Sequence, residues 1–306
     1  RGFKPLLHSR ILMLACIAAM AELQAQDTII WNSTANAVNH TSTGTTMDAG
    51  FHFEVGVFSA PFIPSSSNKA DWAANWTGYR RASYDAANQR FSGSFVASDN
   101  SVPFSMGANA YIWGFRGDAV SGEWILFRVP SWTWPDATAF PPSFHFWETS
   151  GATPVLGQIN ASGSPFLMKS AAVTNAMPPS TSYSQWQADH LTGEPLSAPH
   201  QDPDQDGVSN LLEFVFGTPP RTAGAPVSTP VTLVSGCLQI SIPRRADHTA
   251  LLTVEVSGNL ADWFSGAAHT VVVSDGPAAL IMRDLTPLGP ANPRRFIRLR
   301  SVLPTP

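Results

Sequence analysis

The chain has 306 residues, room for about two domains of ~150 residues each, and is 43% hydrophobic with only 13% charged residues. That balance excludes long disorder, which needs low hydrophobicity and high net charge. The formal charge is −4, and setting aside residues 1–25, with Arg1, Lys4, Arg10 and Glu22, leaves −6, so nucleic acid is not an expected partner.

The N-terminus is basic through Arg1, Lys4 and Arg10, then apolar and uncharged over residues 11–21 (ILMLACIAAMA), then small. That is the order of a secretory signal peptide, predicted over residues 1–25. Eleven apolar residues are too few for a bilayer that needs about 20, so no membrane span is expected. Beyond this segment Cys237 is the single cysteine. An intrachain disulfide is excluded, although an exported protein could use one, and something else must stiffen the chain.

Residues 29–31, 51–58, 91–96, 110–115, 124–128 and 144–147 are short β-branched or aromatic runs separated by Gly, Pro, Asn and Ser, the signature of strands and turns. A helix is predicted over 68–76, where Trp72 and Trp76 stand four apart on one face. Six or more strands over 26–173 predict an N-terminal β-sandwich, jelly-roll-like in character. Residues 174–226 read as a connector. It has a short helix at 183–191, a polar stretch, and an apolar helix at 211–216 that Gly217 ends and Pro219 and Pro220 prevent from continuing. Residues 227–306 carry strands at 231–234, 238–242, 251–256, 269–273, 279–282 and 295–302. Ile297 and Leu299 share one face of the last. An immunoglobulin-like β-sandwich is expected there, and the whole chain is predicted to be mainly β.

The strongest motif is Asp202-Pro203-Asp204-Gln205-Asp206-Gly207, followed by Val208-Ser209-Asn210-Leu211-Leu212-Glu213. It fits D-x-[DN]-x-[DN]-G-x5-E at every specified position. Calcium takes six to eight oxygens in a flexible shell. Side chains of Asp202, Asp204 and Asp206 converge, Gly207 turns the chain so that the Val208 carbonyl faces the ion, Asn210 contributes directly or through water, and Glu213 closes the shell. Without a cation the four carboxylates repel, so binding and ordering are coupled. The competing reading is an ordinary acidic turn.

The segment DPDQDGVSNLLEFVFGTPP resembles thrombospondin type 3-like calcium repeats and, more broadly, the EF-hand-like loops shared with dockerins. The layout is similar to that of large families of exported Verrucomicrobia and Planctomycetes proteins. There a Tyr-x-x-Trp helix (here Tyr183 and Trp186) precedes the loop, and a terminal β module of the type VEVSGNLADW…RDLTP…RRFIRLR follows it. The resemblance implies Ca2+ as cofactor, with Asp202, Asp204, Asp206, Val208, Asn210 and Glu213 as ligands. Dockerins usually carry two loops in tandem and this chain has one, so a structural calcium between domains is implied rather than cohesin binding.

Eight of the ten tryptophans lie in the first β region. Trp132 and Trp134, in VPSWTWP, share a parity and would point the same way in an extended segment, which makes them the expected glycan contacts. The competing reading is that they fill a core. His52, Glu54 and His145 could form a metal site only if the fold joins them, and no paired-ligand spacing supports it. Outward polar residues on half-buried strands explain them better. No G-x-S-x-G elbow or phosphate-binding loop is present, so an enzyme is not expected. The alternative is a secreted polysaccharide-degrading enzyme using two carboxylates from among Glu54, Asp71, Asp85, Glu123 and Glu148. The leading expectation is a secreted or cell-surface calcium-binding structural and binding protein, whose partners would be extracellular polysaccharide or cell-envelope components. The terminal module serves structure, export or anchoring.

Overall fold

Two apolar runs, residues 111–115 and 124–127, organise the first half of the protein. Their odd and even side chains are both buried, so the hairpin they form must be covered on two faces. In the computed structural model, which describes residues 26–97, 100–118, 120–225 and 227–304, strands Ala110–Gly117 and Ser121–Arg128 pair antiparallel. They sit in the middle of a six-stranded sheet. His52–Phe58 and then Trp76–Ser83 extend it on one side, and Ala171–Thr174 and Thr153–Leu156 add to Ser121–Arg128. The predicted signal peptide, 1–25, lies outside the described residues.

Period-2 alternation sends Phe53, Val55, Ile112, Ile125 and Phe127 into one core. Tyr111, Trp113, Phe115, Trp124 and Leu126 enter another. The first core is closed by a three-stranded sheet, Ser92–Val96, Thr28–Asn32 and Phe144–Glu148, through Ile29, Trp31, Phe95 and Trp147. Gly114 makes this possible, because a side chain there would collide with Phe53 and Ile125. The second core is closed by Trp72, which meets Trp113 edge to face at 5.3 Å.

The helix predicted over 68–76 is shorter than expected. A 3-10 turn, Lys69–Asp71, leads into one helical turn, Trp72–Asn75, and Trp76 already starts a strand. β-favouring Trp76 and Thr77 pair with Phe58 and Val57 in a ladder that a longer helix would forgo. Trp76 still packs with Trp72 in the same cluster.

Ser182 caps the next helix, Tyr183–His190, in a reciprocal capping box with Gln185, which satisfies two otherwise orphaned N–H groups. The Asn210–Phe216 helix ends at Gly217, whose φ of 77° is left-handed, as a C-terminal glycine permits. Tyr183 and Trp186 pack on Phe214, so the polar stretch between the helices is held at both ends.

The last region is a four-stranded sheet in the order Val231–Val234, Cys237–Pro243, Ala279–Asp284, Thr270–Asp275. It lies against a two-stranded ribbon, Leu251–Ser257 with Phe296–Val302. Ile240, Ile242 and Leu280 meet Val254, Ile297 and Leu299 between them. Buried Asp284 takes a two-pronged bond from Arg295 at 2.7 and 2.8 Å, tying sheet to ribbon. The protein is mainly β. Among the described residues no helix is long and apolar enough to cross a membrane.

Candidate metal centre

The connector folds its acidic stretch back on itself through the aspartates. Asp202 accepts from the Gln205 N–H with one oxygen (2.8 Å) and the Gly207 N–H with the other (2.9 Å). Asp206 accepts from the Val208 N–H at 2.9 Å. Gln205 and Gly207 take φ of 60° and 90°, so the turn uses glycine at a position where a side chain is disfavoured. One ligand atom from each of Asp202, Asp204 and Asp206 lies within 4.8 Å of the other two.

Glu213 stands outside that group but is fully buried beneath it on the first turn of the Asn210–Phe216 helix. Burial first, and then the negative charges of Asp204 and Asp206, push its carboxyl up to about 7. Asp204 is raised in the same sense, by loss of solvent and by its acidic neighbours. Glu213 in turn adds to the burial that pushes the Tyr183 phenol up to about 12.

Three buried oxygens of the predicted ligand set have no hydrogen-bond partner: Asp204 Oδ2, Asn210 Oδ1 and Glu213 Oε2. Asn210 is fully buried, and its amide nitrogen donates to the carbonyls of Leu196 and Ala198 at 2.8 and 2.9 Å. Its oxygen is therefore left as an acceptor only. Buried acceptors without donors cost about 1–3 kcal/mol each, a cost that coordination to a hard cation relieves. The donor set, carboxylates with an amide oxygen, suits calcium by its chemistry; Val208 meets the loop through its N–H, which donates to Asp206.

The expected glycan contacts are not on the surface. Trp132 and Trp134 are 3% and 1% exposed. Trp132 stacks on Trp147 at 5.8 Å and Trp134 on Phe95 at 5.5 Å, because the rings are needed to fill the space between the two sheets. Phe144 and Phe146 lie on the outer side of their strand, each 68% exposed. The alternation of Phe144-His145-Phe146-Trp147 runs opposite to the expected one. His145 turns inward to buried Asp27 at 2.7 Å, and Trp147 takes a core position that fixes the parity of the strand.

The remaining expected groups are dispersed. Glu54 accepts from Arg81 at 2.7 Å and from Trp76 Nε1 at 2.6 Å. His52 faces Asp189 rather than His145. Glu123 accepts from Ser42 and Ser170, and Asp85 caps the turn at Ala87 and Asn88. Glu54, His52 and His145 are not brought together. Cys237 is half-buried at the start of its strand.

The chain matches no family model, no curated protein and no solved structure at a significant level.

Proposed function

We propose that the protein is a secreted or cell-surface structural and binding protein that holds one calcium ion between Asp202 and Glu213. The observation that carries this reading is the set of buried, donor-less oxygens on Asp204, Asn210 and Glu213, beside three converging aspartates. Residues 26–173 form the binding part, 174–226 the connector and 227–306 a terminal β module. Calcium is a clip for the connector, of the weak extracellular class with a dissociation constant on the order of 0.1 to 1 mM. Export rests on the basic, apolar, small order of residues 1–25. Titration calorimetry of the protein with calcium tests the metal reading. One site in the sub-millimolar range is expected, and no heat together with no change in melting temperature would overturn it.

Glycan recognition is the second part of the proposal, moved from Trp132 and Trp134 to the outer face of the three-stranded sheet. Phe144 and Phe146 are alternate residues of one strand, so their Cβ atoms are about 7 Å apart on one side. Ile30 lies beside Phe146, and Ser94 beyond it. Asn32, Ser92 and Glu148 line the same face one pair further along. Flat rings next to hydroxyl, amide and carboxylate groups suit sugar rings, which stack with their apolar faces and hydrogen-bond at their edges. Retention on insoluble polysaccharides, lost in Phe144→Ala/Phe146→Ala, tests it.

A further inference from the structure

The sheets of the first half, the connector and the terminal module meet at one joint made of polar groups. Arg81 Nη1 donates to Thr181 Oγ1 and Nη2 to the Ser180 carbonyl, both at 2.9 Å. Ser83 Oγ donates to Asp189 at 3.2 Å. Arg245 Nη2 donates to the Gly117 carbonyl at 3.1 Å while gripping Asp247 at 2.8 and 2.6 Å. The Thr181 N–H donates to the Asp247 carbonyl at 2.7 Å. A cavity of about 320 Å³ lies among these groups.

Three histidines line that cavity, one from each part: His52, His190 and His248. His52 Nδ1 is buried without a hydrogen-bond partner, 3.8 Å from Asp189 Oδ2. His190 packs on Trp186. The His248 ring stacks on Phe214, and its Nδ1 meets the Phe214 carbonyl.

We propose that this joint is an acid-triggered hinge, in which protonation of His52, His190 and His248 parts the sheets of residues 26–173, the connector and the terminal module from one another. The charge inventory decides the direction. His52 faces Asp189, Arg81, Arg245 and His190. His190 faces Asp189 and the other two imidazoles, and His248 faces Asp247, Arg245 and His190. Arg116 also lines the cavity. Asp247 is already neutralised by Arg245, Glu54 by Arg81 and Asp48 by Arg116. Asp118 also acts on Arg245. Asp189, the carboxylate lining the cavity that has no arginine salt bridge among the described residues, cannot offset three new charges.

Burial is the largest influence on all three imidazoles and holds them below the ordinary histidine range. Once undocked and wet they would titrate near 6.5. The undocked form therefore takes up protons first as pH falls, so docking is constant above that value and weakens below it.

Hydrogen exchange of the protein at pH 8 and pH 5 in saturating calcium tests the hinge. After correction for intrinsic rates, amides of Thr181, Arg245 and Thr249 should lose at least tenfold protection at pH 5, while those of Ala110–Gly117 and Ser121–Arg128 keep theirs. Scattering should show a larger radius of gyration at pH 5. In His52→Gln/His190→Gln/His248→Asn both responses should vanish. If that variant does not fold, each single substitution should shallow the acid response. Equal protection of the joint at both pH values, loss of core and joint together, or an unaltered response in the variants would overturn the proposal.

Discussion

The ring of Phe214 lies flat on that of His248, centroids 4.5 Å apart and planes 8° apart, one residue beyond the carboxylate that closes the acidic loop. Val215, the next residue, accepts from the Arg245 N–H at 2.8 Å. One seven-residue helix, Asn210–Phe216, therefore carries the innermost proposed calcium ligand, Glu213, and the contacts to the joint. On the proposed calcium clip, ordering the loop would order the helix on which His248 of the terminal region rests.

Calcium should raise the melting temperature. A ligand at a hundredfold its dissociation constant adds about 2.7 kcal/mol. Asp204→Ala/Glu213→Ala should abolish the rise, since it removes both carboxylates whose oxygens are buried without partners. Differential scanning calorimetry with calcium and with a chelator checks this.

Calcium affinity should fall as pH drops through about 7, where Glu213 takes its proton in the metal-free loop. Binding releases that proton, so calorimetry near neutral pH in buffers of different ionisation enthalpy should give different heats. The shift from 4.5 to about 7 corresponds to roughly 3 kcal/mol. Its sign is that of a raised carboxyl: without calcium the associated stability is present below pH 4.5 and is lost as pH rises through 7. The metal-free protein should lose stability over that interval, and calcium should restore the most above it.

The two aromatic pairs should separate cleanly. Trp132→Ala or Trp134→Ala empties core volume and should cost about 3–5 kcal/mol, read as a lower denaturation midpoint. Phe144→Ala/Phe146→Ala should change stability by no more than about 0.5 kcal/mol per site and remove polysaccharide retention. Retention that survives the phenylalanine changes would count against the outer face as the binding surface.

Arg295→Met leaves the Asp284 carboxylate buried and unpaired. Breaking such a pair on one side costs about 3–5 kcal/mol, so chemical denaturation should show a destabilised protein. Asp284→Asn/Arg295→Met should recover part of that loss, because the uncompensated charge is gone.

The sequence alone determined whatever depends on neighbours along the chain. The spacing of Asp202, Asp204, Asp206 and Glu213 encodes the acidic loop, and Gly217 the end of its helix. Alternation of β-branched and aromatic residues encodes most of the strands and the mainly β class, since local periodicity matches the period of the pleat. Tertiary structure decided which side of each strand faces inward. His145 went in to meet Asp27 and Phe144 stayed out, and Trp132 and Trp134 became core, because opposing sheets must close without voids. It also brought His52, His190 and His248 together across separations of 138 and 58 residues, and no local pattern records a meeting made by the packing of distant segments.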